Sequence, residues 1–169
     1  MGKSSRSGLG IGVGTSPQSS ISNRNFEHKE QQLIKKETML KPLINAKLKF
    51  NAKDVLFVTK DESNQMIWLE KGNNGAGLNH ILSKHANDFL RKHSVTSENI
   101  ANHINEIVTK GKIEYSRIKS NGTYERFEKL YLHNNEYYLL TGIGANGFIV
   151  SAYPVREKEA IKLKRRYKK

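Results

Sequence analysis

An α+β fold is predicted for this chain of 169 residues: a helix pair packed on a four- to five-stranded antiparallel β-meander. Three observations lead there. Leu78, Ile81, Leu82, Ala86, Phe89 and Leu90 recur at helical spacing directly after the glycine-rich stretch Gly72–Gly77, which predicts an amphipathic helix. A second helical stripe follows in Ile100, Ile104, Ile107 and Val108, with Gly111 as its stop signal. Beyond Gly111 the period changes to two, in runs punctuated by Asn-Gly and Asn-Asn pairs, as a meander requires. Helices first and an antiparallel sheet after them give α+β.

Composition narrows the partners. Twenty-nine Lys and Arg against sixteen Asp and Glu leave a net charge of +13, so RNA, DNA or an anionic membrane surface would be attracted. Cysteine is absent, which excludes disulfides and thiolate metal sites. No apolar run approaches the ~18 residues of a membrane span. The opening MGKSSRSGLGIGVG lacks the apolar core of a secretory signal. Arg6 stands where a myristoylation pattern wants Ser or Thr. The expected place of action is the cytoplasm, and the expected organisation is one domain with tails.

Taken in order, residues 1–25 are rich in Gly and Ser and carry Lys3, Arg6 and Arg24 but no acidic group. They read as a flexible basic arm. Residues 26–48 form an amphipathic helix and linker, with Phe26, Leu33 and Leu40 seven apart and Pro42 as the stop. The folded domain spans 49–155. It opens with two β-rich runs, Asp54–Lys60 and Gln65–Lys71, around the polar turn Asp61–Asn64. After the two helices, the strands Lys112–Lys119, Thr123–Leu132, Glu136–Ile143 and Phe148–Tyr153 are joined at Asn121-Gly122, Asn134-Asn135 and Asn146-Gly147, and Pro154 closes the set. Tyr124, Arg126, Glu128 and Leu130 share one face of their strand. Residues 156–169 form a basic, helix-compatible tail. Its Lys162, Lys164, Arg165, Arg166, Lys168 and Lys169 are expected to contact nucleic-acid phosphates without regard to sequence.

Several chemical motifs dissolve on inspection. Gly142–Gly147 spells GxGxxG, but the residues after it are strand-like, whereas a dinucleotide site needs a helix there. Gly72–Gly77 lacks the Gly-Lys-Ser/Thr ending of a nucleotide-binding loop. His80 and His85 point about 140° apart on a helix, at the wrong spacing for two ligands. No metal and no cofactor are expected.

What remains is a hydrolytic set. Cleaving RNA requires a base for the ribose 2′-OH, an acid for the leaving oxygen and cations for the phosphorane charge. His85 lies on the apolar stripe facing the sheet, and imidazole titrates near neutral pH. His80 and Lys84 sit one turn apart near the loop–helix junction, where free N–H groups favour phosphate. Arg126 and Lys84 suit the cationic task; Thr141, Ser151 and Tyr153 offer hydroxyls from the last two strands. Each has a plainer reading: a core histidine, a cross-strand ion pair of Arg126 with a glutamate, an ordinary strand serine. Their joint presence favours catalysis. His103 reads as a packing or surface histidine, and no glutamate is placed as general base.

The order of glycine loop, His-Ile-Leu-Ser-Lys-His, second helix and hairpins ending in Phe-Ile-Val-Ser-Ala-Tyr-Pro resembles the barnase–EndoU–colicin–RelE nuclease superfamily. It looks most like the phage-associated and polymorphic-toxin branches, over about Asp54 to Val155. The resemblance implies metal-independent cleavage of RNA, tRNA among the candidates, through a cyclic phosphate. It places His85 as the helix histidine with His80 or Lys84 beside it, Ser151 on the final strand with Tyr153 nearby, and Arg126, or Arg117 in another register, as the sheet arginine. An immunity or antitoxin protein is the implied partner. Two other classes stay open: a non-catalytic nucleic-acid-binding accessory protein of a phage or mobile element, and a transferase of small groups onto RNA or protein.

Overall fold

The computed structural model describes Gly2 and residues 17–120, 122–143 and 146–167. The chain divides into two units, Met1–Thr38 and Met39–Lys169. The first helix, α1, runs Pro17–Asn45. Residues 17–25, grouped with the arm on composition, are therefore helical; residues 3–16 lie outside the described residues. Proline suits the first helical position because its missing N–H would be unpaired there. Nor does Pro42 stop the helix. It falls in the last turn, where its carbonyl accepts from the Ala46 N–H at 3.0 Å, and its ring removes only the bond back to Thr38. Lys47, with φ of 54°, ends the turn.

The sheet has six strands in the order β1-β2-β6-β5-β4-β3: β1 Val55–Lys60, β2 Met66–Glu70, β3 Lys112–Ser120, β4 Glu125–His133, β5 Glu136–Ile143 and β6 Phe148–Val155. Strands β3 to β6 form the expected antiparallel meander. The β1–β2 hairpin joins it through a parallel pairing, Trp68 beside Phe148, so the sheet is mixed and larger than the four to five antiparallel strands expected. The chain passes from β2 through α2 (Leu78–His93) and α3 (Ile100–Lys110) before starting the meander at the far edge, which brings its last strand back beside β2. Periodicity identifies strands but not neighbours.

The sheet curls on itself. Ile113 N–H donates to Glu62 Oε2 at 2.8 Å, and the buried Lys129 ammonium and Tyr131 hydroxyl both donate to Asp61 Oδ2. The β1–β2 turn is thereby tied to β3 and β4. Asn134 and Asn135, with φ of 49° and 62°, make the mirror-image turn that a tight hairpin prefers. The GxGxxG stretch is the β5–β6 connection. A side chain at Gly147 would strike the Met66 carbonyl, and this close approach lets Trp68 N–H donate to the Gly147 carbonyl at 2.9 Å.

Helices cover both faces. On one, α2 and α3 bury Ile81, Phe89, Ile104 and Ile107 against Ile67, Leu69, Leu140 and Ile149. A fully buried aliphatic side chain contributes roughly 1.5–3 kcal/mol, so this face dominates stability. On the other, the basic segment is no tail: it forms α4, Glu157–Arg166, and packs Ala160 and Leu163 on Tyr115, Leu130, Leu139 and Val155. The end of α1 places Leu40 and Leu43 against Val55 and Trp68. Strand β6 also runs past the expected stop, through Pro154 to Val155. This half of β6 pairs with β5 but not with β2, so proline on the open side breaks no ladder bond.

Candidate active site

A bulge aims the site. Thr141 pairs with Ser151 and Gly142 with Ile149, so Val150 is the extra residue. An inserted residue reverses the alternation: Ile149 faces α2, while Ser151 and Tyr153 join the α4 face. The Val150 carbonyl accepts from Gly77 N–H at 3.1 Å, pinning the start of α2 to β6. The glycine loop serves this approach. A Cβ at Gly77 would come within 2.8 Å of the Glu70 carbonyl. The Asn79 N–H is also used, donating to the Lys71 carbonyl at 2.8 Å, so the loop is less of a phosphate seat than its glycines implied.

On the α4 face one row crosses four strands: Arg117 opposite Glu128, Glu128 opposite Thr141, Thr141 opposite Ser151. Directly paired residues point the same way. Glu128 is the centre. Its side chain is 8% exposed, accepts from Arg117 Nε at 3.1 Å and pairs with Lys119 Nζ at 2.8 Å; the Tyr115 hydroxyl donates to it at 3.3 Å. Burial pushes its pKa up, but the hydrogen bonds and charges of Lys119 and Arg117 outweigh that and hold it below the ordinary carboxylate value. Glu128 is thus ionised at neutral pH. Ser151 Oγ is buried and, among the described residues, has no hydrogen-bond partner, which leaves it open to a water or a ligand oxygen.

Tyr153 connects this row to the histidines. The His85 ring stacks on it with centroids 4.6 Å apart and planes at 25°. Burial raises the Tyr153 hydroxyl pKa, and the negative charges of Glu128 and Glu159 add to the shift. His85 Nδ1 lies 3.4 Å from Asp88 Oδ2. Burial lowers its pKa more than Asp88 restores it, so it is neutral at pH 7. His80 comes closer than the angular argument predicted, its ring 6.3 Å from that of His85, with Nδ1 2.8 Å from the Asn74 carbonyl. A carbonyl only accepts, so the Nδ1–H is the donor.

Not every predicted residue converges. Lys84 is exposed on α2. Arg126 shares the face of Glu128 but lies one row away, opposite Lys119 and Ile143, and donates to the Tyr124 hydroxyl at 2.8 Å. Arg117 is the arginine at the carboxylate. A cavity of about 360 Å³ opens over it, lined by Arg117, Lys119, Glu128 and Tyr153 and, from α4, Lys162 and Arg166. Lys164 points elsewhere, to Glu114 at 3.4 Å, beside exposed Arg165. Lys168 and Lys169 lie outside the described residues. His103 packs inside, its Nε2 3.0 Å from the Tyr138 hydroxyl.

Glu128 and Lys119 were not singled out from the sequence, and Arg117 only as the alternative to Arg126, because alternation along a strand does not fix which residues of β3 and β4 pair. A two-residue Asn121-Gly122 turn would set Arg117 opposite Arg126. In the structure Ser120 pairs with Glu125, and each pair from there back to Tyr115 is displaced by two from that register. The signal was the alternation that already put Glu128 on the face of Arg126.

Among the described residues no group of three or more His, Asp or Glu gathers as a metal site, and no helix is long and apolar enough to cross a membrane. A carboxylate, cations and a tyrosine hydroxyl around one basic cavity, with an imidazole stacked on that tyrosine, are the equipment of acid–base chemistry on a polyanion. Residues 64–159 match the family described as phage-Barnase-EndoU-ColicinE5/D-RelE like nuclease, and the chain belongs to that family. Membership implies nuclease activity and a nucleic-acid substrate. The matched stretch runs from the β1–β2 turn into the first turn of α4. No curated protein matches the chain.

Proposed function

We propose that this protein is a metal-independent endoribonuclease that cleaves by transesterification. The observation that carries the reading is Glu128, a buried carboxylate ringed by Arg117 and Lys119 on the cavity that also holds Tyr153, the residue on which His85 stacks. Glu128 takes the proton of the ribose 2′-OH, whose oxygen attacks phosphorus. The P–O5′ bond breaks, and His85 delivers a proton to the departing oxygen. A 2′,3′-cyclic phosphate remains on one fragment and a 5′-OH on the other.

The electrostatics support these roles. In the free protein the two cations hold the Glu128 pKa down, which makes it a weak base. A bound phosphate shares those cations, and the carboxylate gains basicity as they turn to it. The same anion favours the protonated form of His85, which burial otherwise disfavours. Ser151 and Thr141 supply hydroxyl donors to the non-bridging oxygens, while Lys84 adds positive potential beside the α2 start, where the His80 ring also stands.

RNA, with tRNA among the candidates, is the proposed substrate, acting in the cytoplasm as a phage- or toxin-associated activity; an immunity or antitoxin protein is the proposed inhibitor. Purified full-length protein incubated with RNA in EDTA should yield discrete fragments ending in cyclic phosphate. Cleavage that needs a divalent ion, or that acts equally on DNA, would refute the scheme. Tight RNA binding without cleavage would instead assign a non-catalytic accessory role.

A further inference from the structure

The family match ends at residue 159, but the cavity does not. Its far wall is the remainder of α4, from which Lys162 and Arg166 line it. The residue that ends the helix does something more specific. The Arg117 guanidinium lies 3.7 Å from the centroid of the Tyr167 ring, while that ring stacks on Tyr115 with centroids 5.3 Å apart and planes at 27°. A guanidinium is planar and weakly hydrated, so an aromatic face fixes its orientation better than it would fix an ammonium. Arg117 is therefore held from two sides, by the Glu128 carboxylate through Nε and by the Tyr167 ring.

We propose that Tyr167 is a positioning residue of the active site, holding Arg117 against Glu128 from the end of α4. The site is complete only when α4 is docked. Ala160 and Leu163 supply the docking contacts, Lys162 and Arg166 supply phosphate contacts, and Tyr167 aligns the arginine that neutralises the reacting carboxylate. The inference rests on the reading of Glu128 as that carboxylate, but its physical core, the grip on Arg117, can be measured without any RNA.

Carboxyl carbon NMR of the full chain across pH follows Glu128 directly, with Glu128→Gln assigning the signal. The charged groups facing Glu128 are Arg117 and Lys119 from β3 and Glu159, Lys162 and Arg166 from α4, with the Tyr115 and Tyr153 hydroxyls beside them. Tyr167 acts on this set through Arg117, which it touches. Tyr167→Phe keeps the ring and should leave the titration as in the parent. Tyr167→Leu fills much of the same apolar space without a π face, and Tyr167→Ala removes both; each should move the Glu128 pKa upward, because a released Arg117 no longer stabilises the anion. On RNA, the same two variants should lose about 5- to 30-fold in kcat, the worth of one desolvated cation–π contact, and the acid limb of the rate profile should shift to higher pH. Titrations of Tyr167→Leu and Tyr167→Ala that overlay the parent would overturn the proposal whatever the activity shows. A parent that cuts no RNA, with the pKa shift intact, would instead remove the ribonuclease reading and leave the grip of Tyr167 on Arg117 standing.

Discussion

Replacing Glu128 with glutamine separates chemistry from stability. The carboxylate accepts from Arg117, Lys119 and Tyr115. Glutamine keeps the shape and a carbonyl acceptor toward Arg117 and Tyr115 but turns the end beside Lys119, which can only donate, into a donor, so that charge-assisted bond disappears. Such bonds contribute about 1.5–3 kcal/mol net. Lys119 is half exposed and can turn to water, and the variant no longer buries a charge; both reduce the loss to roughly 1–2 kcal/mol. For a chain of this length that lowers Tm by about 2–8 °C, against a total stability of about 5–15 kcal/mol. Nearly all molecules stay folded. A missing proton-transfer group, by contrast, slows the reaction by on the order of 10²- to 10⁴-fold. The assay pairs thermal melting by circular dichroism with initial rates on a short RNA, reading the cyclic-phosphate fragment. A folded Glu128→Gln protein cleaving at the parental rate would refute the role given to this residue and, with it, the reading of the whole row.

The same paired measurement on the histidines should show His85→Ala melting near the parent but losing nearly all cleavage, His80→Ala intermediate, and His103→Ala active in proportion to its folded fraction. His103 packs beside Phe89 and Tyr138; if its removal abolishes the rate in a folded protein, the site has been misplaced. Lys162→Ala with Arg166→Ala should weaken RNA binding and flatten its log–log salt dependence by up to about one unit for each phosphate no longer neutralised; Lys164→Ala, already paired with Glu114, should not, and equal slopes for all three would place the RNA elsewhere. Acid stability reports on the β1–β2 tie. Burial pushes the Asp61 carboxyl up, but Lys129, Ser63 and Tyr131 outweigh it and lower its pKa. A lowered folded pKa means stability that is full above the unfolded value of 3.8 and disappears as pH falls through the folded one. Lys129→Met strands a buried carboxylate and should cost about 3–5 kcal/mol at pH 7, with part of it regained on acidification as Asp61 takes a proton. Urea midpoints at pH 7 and pH 4 test this: the parent keeps the contribution of the pair at pH 4, and a variant whose deficit relative to the parent is the same at both values would show that the pair is not the tie.

Local periodicity determined nearly every element of this protein. The stripe from Leu78 to Leu90, the Ile100–Val108 stripe and the six β-rich runs appear as helices and strands close to their expected bounds, because patterns of period 3.6 and 2 are imposed by the backbone within a few residues. His85, Thr141, Ser151 and Tyr153 stand out by residue type and position, and they lie around one region of the sheet. What the sequence could not supply was anything set by a distant neighbour. The parallel seat of β2 beside β6 depends on where the chain re-enters the sheet after two helices. The pairing of Arg117 with Glu128 depends on a loop of residues 121–124 where a shorter turn was equally compatible with Asn-Gly. Placing Ser151 on the α4 face depends on one extra residue at Val150, whose carbonyl meets Gly77 from another element. Even the basic C-terminus becomes a wall of the cavity only because Ala160 and Leu163 find Leu130 and Leu139 beneath them. A displacement of two residues keeps every side chain on its face but gives it a new partner across the ladder, so register, and not the identity of the residues, decided which carboxylate meets which arginine.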